Sequence, residues 1–143
     1  MKTIIVPVDF SDESKEAAFY AAEMAKQSSQ SVMLVHIMPR YIQSESGRRE
    51  EFLSETKRKL NQLRLRTEMR GKDKIHVCTR IYSGSFFHEI NKLIKSLDFF
   101  AIVVSGKYKN KTGTALRTKI IDTARNCNIP LIIIPQSTTS GIY

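Results

Sequence analysis

The chain of 143 residues reads as one α/β domain built on a parallel sheet. Three observations predict that class. Short apolar runs recur along it, each of strand length. The segments between them carry apolar residues at spacings of three and four, the period of a helix packed on one face. The runs are continuously apolar rather than alternating, which marks strands covered by helices on both faces. Strands and helices alternate through five strands and four helices, with no internal repeat and no domain boundary.

Lys2–Val8 is the first strand. Ser11 can cap the following helix, with Asp12 and Glu13 opposing its dipole in the first turn. Ala17, Ala18, Ala21, Ala22 and Ala25 form a small-residue stripe that lets this helix sit close to a sheet. Ser31–Met38 is the second strand. A basic stretch, 40–72, holds ten Lys+Arg and five Glu. Within it Glu45 to Gly47 reads as a loop. Leu53, Thr56, Leu60, Leu63 and Thr67 then predict a long amphipathic helix over about 48 to 69, ended by Gly71.

Ile75–Tyr82 is the third strand. Ser85 can cap the next helix, whose expected buried face is Phe86, Phe87, Ile90, Leu93, Ile94 and Leu97. Phe100–Val104 is the fourth strand and Ser105–Thr114 a polar, glycine-containing loop. Ala115, Leu116, Ile120, Ile121 and Ala124 mark the last helix, ending near Asn128. Leu131–Ile134 closes the sheet. The domain is expected over 1–135, and the Ser/Thr-rich tail 136–143 is expected to fray.

A chain of this length buries roughly 70% of its unfolded surface, so its core needs no metal or disulfide staple. The hydrophobic fraction of 41% and charged fraction of 26% exclude a disordered chain. The net charge of +9 favours anionic partners or simply keeps the protein soluble. No apolar run approaches the roughly 20 residues of a membrane helix. The first run, Ile4–Val8, stops too soon for a signal peptide. A cytoplasmic location is the expectation. Cys78 and Cys127 lack the spacing of a metal or redox motif and read as free thiols in a reducing compartment.

In an open parallel sheet, ligands bind beyond the carboxyl ends of the strands, where the strand order reverses. Pro7–Asp9, His36–Pro39 and Ser105–Thr118 are the segments that reach such a crevice. Asp9 follows the first strand directly, so its carboxylate either meets a ligand at the crevice mouth or caps the local turn. His36 lies on a buried strand and reads as a satisfied core histidine. His76 and His88 have no partner at a spacing that suggests catalysis.

Val6-Pro7-Val8-Asp9-Phe10-Ser11, followed by the alanine-rich helix, resembles the opening of universal stress proteins. Leu34-Val35-His36-Ile37 resembles the second strand of that family. Gly84 before an Ile/Leu-rich helix, and Ile129-Pro130-Leu131-Ile132-Ile133-Ile134 at the close, complete a resemblance over about residues 2–135. The resemblance implies an adenine-nucleotide alpha-hydrolase-like fold with sheet order 3-2-1-4-5. It also implies antiparallel pairing of two copies through the last strand, Leu131, Ile132, Ile133 and Ile134.

Many members of the family bind ATP. By resemblance the adenine site maps onto Pro7, Val8, Asp9 and Ile37. The phosphate loop, of the form G-x-x-G-x9-G-S/T, maps onto Gly106, Lys107, Arg117 and Thr118. The chain departs from that form. Gly106 matches the first glycine, but Lys109 stands at the second and Arg117 at the third, and the loop is two residues shorter. Such loops often need positive φ, which costs non-glycine residues about 1–3 kcal/mol each. Lys107, Lys109, Lys111 and Arg117 add positive charge, which either compensates or forms a solvated basic loop.

The segment from Gly106 to Lys111-Thr112 lacks the glycine that precedes the lysine of a Walker A loop, and no G-x-G-x-x-G occurs. The expected function is a stress-response module that works through dimerisation and an unidentified protein partner, with weak or no ATP binding. The alternative is ATP or AMP binding, with magnesium, by a lysine-substituted loop and at most slow hydrolysis. Nucleic-acid binding by the stretch 40–72 is the weakest reading, because helical patterning and five glutamates make it a solvated face.

Overall fold

The computed structural model describes residues 2–38, 46–105 and 115–135; the side chains of 46, 47 and 115–117 are not part of that description. The elements are β1 (Thr3–Pro7), α1 (Asp12–Ser28), β2 (Ser31–Ile37), α2 (Ser46–Arg70), β3 (Val77–Tyr82), α3 (Phe86–Leu93), β4 (Phe99–Ser105), α4 (Ala115–Cys127) and β5 (Leu131–Ile134). All four pairings are parallel, in the order β3-β2-β1-β4-β5. The order reverses at β1, which pairs with β2 on one side and β4 on the other. The expected class, strand order and two-sided helical cover are all present.

Alternate side chains of the strands enter two cores. Ile4, Val6, Val8, Val32 and Leu34 join the alanine stripe of α1 and Leu60 and Leu63 of α2. Ile5, Met33, Val35, Ile102 and Val104 face the other way, onto Phe86 and Ile90 of α3 and Ile120 and Ala124 of α4. Because both faces are covered, β1 and β2 have no polar face, and their sequences lack alternation. The five α1 alanines are fully buried. Ser11 caps α1, its Oγ accepting from Ser14 N at 3.2 Å.

Two expectations need correction. Phe87 and Leu97 are exposed, at 40% and 38%. Phe86 and Ile90 share the inward face one helical turn apart, and Phe87 lies a further ~100° around the helix. The helix stops at Leu93. Beyond it Lys95 N bonds to Lys92 O and Ser96 N to Leu93 O, tighter turns than the helix, and Leu97 lies past the helix end.

Gly71 does follow the end of α2, but the left-handed positions are Lys72 and Asp73, with φ of 56° and 57°. The glycine is needed for space: a Cβ there would lie 2.5 Å from Cγ1 of Ile75, which is buried. The strand bounds also shift slightly, with β1 starting at Thr3, β3 at Val77 and β4 extended to Phe99 and Ser105.

Cys78 and Cys127 are free and half-buried, on β3 and α4. No described helix is long and apolar enough to cross a membrane. The tail 136–143 lies outside the described residues.

Candidate functional site

The carboxyl ends of β1 and β2 carry the candidate adenine residues side by side. Val8 N donates to Val35 O at 2.8 Å, extending the β1–β2 ladder past Pro7. Pro7 and Val8 are buried, and Asp9 and Ile37 are half-buried. Asp9 turns the chain from strand to helix. Its Oδ1 accepts from Ser11 N at 3.0 Å and from Ser11 Oγ at 2.5 Å. Its own N–H donates to Ser14 Oγ at 3.3 Å. The turn-capping reading of Asp9 is therefore present, at the carboxyl end of β1.

Phe10 follows with φ of 67°, in the left-handed region that a bulky side chain rarely adopts. Such strain persists where the surroundings hold it. Here the Asp9–Ser11–Ser14 network fixes the turn, and the Phe10 ring lies 4.9 Å from the ring of His36. Lys59 of α2 sits over the other side of this group, its Nζ 5.6 Å from the Phe10 centroid.

His36 is not fully satisfied, contrary to the core-histidine expectation. Its Nδ1 donates to Val8 O at 2.9 Å. In the neutral ring this leaves Nε2 as an acceptor, and that atom is buried without a partner. Burial pushes the imidazole pKa down. The bond to Val8 and the charge of Asp9 pull it up less strongly, and Lys59 adds to the lowering. A neutral imidazole thus lies beneath the β1 turn.

The phosphate end is described only at its margins. Gly106 and Lys107 lie outside the described residues, as does the side chain of Arg117. Thr118 is exposed in the first turn of α4. Among the described residues no group of His, Cys, Asp and Glu is arranged to hold a metal ion. His76, just before β3, and His88, on α3, are both exposed. The described crevice offers backbone, a carboxylate and hydroxyls, which suits binding.

Sequence reasoning missed the part of Ser14, which is fully buried, accepts from Asp9 N and donates to Ser11 O at 3.1 Å. The spacing Asp9-x-Ser11-x-x-Ser14 was the available signal. At the far edge, β5 pairs only with β4 among the described residues. Ile133 is 47% exposed there, Leu131 and Ile132 are half-buried, and Ile134 is buried.

The fold has well-matched relatives of low sequence identity. A universal stress protein from Archaeoglobus fulgidus superposes with a TM-score of 0.70 at 21% identity, covering 94% of this chain and 93% of that one. The universal stress protein from Archaeoglobus fulgidus in complex with dAMP gives 0.68 at 22%, covering 94% and 98%. A family protein from Arabidopsis thaliana with AMP bound gives 0.58 at 13%, covering 98% and 95%. No curated protein matches the chain. The model of the universal stress protein family matches residues 1–135, and the chain belongs to that family.

Proposed function

We propose that this protein is a stress-response binding module that acts as a homodimer joined through β5 and through contact with a protein partner, with weak or no ATP binding. The observation that carries the reading is the β5 edge. Ile133 exposes an apolar side chain at 47% on a strand whose outer hydrogen-bonding edge is not paired among the described residues. An apolar open edge invites a second strand, and antiparallel pairing about a two-fold axis would satisfy both copies. The phosphate segment points the same way, with Lys109 and Arg117 where binding members of the family carry glycine. Light scattering tests the reading: a dimer at micromolar concentration supports it, and a monomer contradicts it.

A second reading has its own support. Two structural relatives hold dAMP and AMP. A monophosphate asks less of a phosphate loop than ATP does. The Pro7–Asp9 turn and Ile37 stand together at the carboxyl ends of neighbouring strands. On this reading the chain takes an adenine monophosphate at the β1 turn, with the basic loop supplying charge.

A further inference from the structure

The two halves of α2 pack differently. Toward its C-terminus Leu60, Leu63 and Thr67 are buried against the sheet side. Toward its N-terminus Leu53 is only half-buried, and a cleft of about 480 Å³ opens between the helix and β3. Arg49, Leu53 and Lys57 supply the helix wall at i, i+4 and i+8, one stripe of the helix. Thr79, Ile81 and Ser83 supply the opposite wall at alternate positions, one face of a strand. Met38 and Arg80 are the other described lining residues. None of Pro7, Val8, Asp9 or Ile37 belongs to it, so this is a separate place from the candidate adenine site.

Its composition is one-sided. Three cations, Arg49, Lys57 and Arg80, and three apolar residues, Met38, Leu53 and Ile81, are among its lining, and no carboxylate is found among the described lining residues. None of the three cations is in an ion pair among the described residues. Elsewhere on α2 Arg58 pairs with Glu55 and Arg64 with Glu68. Nη1 of Arg80 donates to Thr79 O at 2.8 Å, which holds the guanidinium near the strand. A concave site lined by one sign of charge over apolar walls focuses its field and concentrates counter-charge. The volume falls within the range of small-molecule pockets, roughly 300–1,000 Å³. Guanidinium groups match the oxygens of a phosphate in bidentate fashion.

We infer that the cleft between α2 and β3 binds a small phosphate monoester with an apolar body, the phosphate meeting Arg49, Lys57 and Arg80 and the body lying on Met38, Leu53 and Ile81. The inference does not depend on either reading of nucleotide binding or on dimerisation through β5, which lies at the opposite edge of the sheet.

The test titrates isotopically labelled protein with phenyl phosphate and follows backbone amide shifts. Saturable shifts at Arg49, Leu53, Lys57 and Thr79–Ser83 are expected. Inorganic phosphate should bind at least about tenfold more weakly, because it lacks the apolar body, a difference of about 1.4 kcal/mol. The triple variant R49A/K57A/R80A should lose at least about tenfold in affinity for phenyl phosphate. All three side chains are exposed, so the variant should fold. Absent shifts, equal binding of inorganic phosphate, or an unchanged titration of the triple variant would each overturn the inference. So would shifts confined to Val8, Asp9 and Ile37.

Discussion

Nδ1 of His36 on β2 donates to the carbonyl oxygen of Val8 at 2.9 Å, just beyond the end of β1. This bond ties the two central strands together at the point where the chain turns into the candidate site. It also sets the tautomer, since a carbonyl can only accept, and so leaves the buried Nε2 without a proton or a partner. Protonation would place a charge in a buried position close to Lys59.

A pH dependence follows from that arrangement. The folded-state pKa of His36 is lowered, with burial as the main cause. The unfolded chain, with an imidazole pKa of about 6.5, therefore binds a proton more readily than the folded one. The contribution of the neutral ring is fully present above that value and is lost as pH falls below it toward the folded pKa. Urea unfolding at pH 7.5 and 5.5 should show a loss on acidification that is smaller in His36→Leu. An identical loss in the variant would show that His36 is not the group responsible.

Ser14 should matter more than an ordinary helix serine. It is fully buried and bonded to both Asp9 N and Ser11 O. Ser14→Ala leaves the Asp9 N–H without that acceptor, an expected loss of about 1–3 kcal/mol. Denaturant unfolding measures it. A change below about 0.5 kcal/mol, ordinary for surface substitutions, would mean that the turn holds itself without Ser14.

Gly71→Ala tests the close approach of α2 to Ile75. The new Cβ would fall 2.5 Å from Cγ1 and 2.6 Å from Cδ1 of that side chain. Overpacking of this kind costs about 1–3 kcal/mol. The cost should shrink in an Ile75→Ala background, where both atoms are gone. Equal costs in the two backgrounds, by a double-mutant cycle, would contradict the steric account.

Cys78 and Cys127 should both titrate as free thiols in denatured, unreduced protein. Burial pushes both pKa values up, so reaction in the native state should be slower than in denaturant. Fewer than two reactive thiols in denaturant would reveal a covalent link.

Much of this was legible in the amino-acid order, for reasons that differ by element. The α1 stripe from Ala17 to Ala25 and the unbroken apolar runs of β1 and β2 carry strong periodic signals, because each residue repeats the same burial demand. The strand order came from the family resemblance, since periodicity says nothing about which strands are neighbours. Phe87 is apolar but lies about 100° off the buried face, and Leu97 lies past the end of a short helix, which apolar character does not reveal. Gly71 ends α2 as expected, while its further role depends on the distant side-chain position of Ile75 and left no sign in the local sequence. The half-satisfied His36 and the α2–β3 cleft depend on how elements pack in three dimensions.

The β5 edge can be tested by placing charge on it. Ile133→Lys removes an exposed apolar side chain and puts like charges across a two-fold pairing. The variant should be monomeric by light scattering with unchanged thermal unfolding of the fold itself. A dimer that survives the substitution would place the association elsewhere.

The most direct measurement is calorimetric titration of the unmodified protein with ATP and magnesium. The account predicts no binding tighter than about 100 μM, equivalent to about −5.5 kcal/mol. Lys109 and Arg117 stand where the loop needs glycine, and an exposed lysine contact returns only about 0–1 kcal/mol. Low-micromolar binding that disappears in Asp9→Ala would contradict it, and would show that the lysine-bearing loop holds a triphosphate after all.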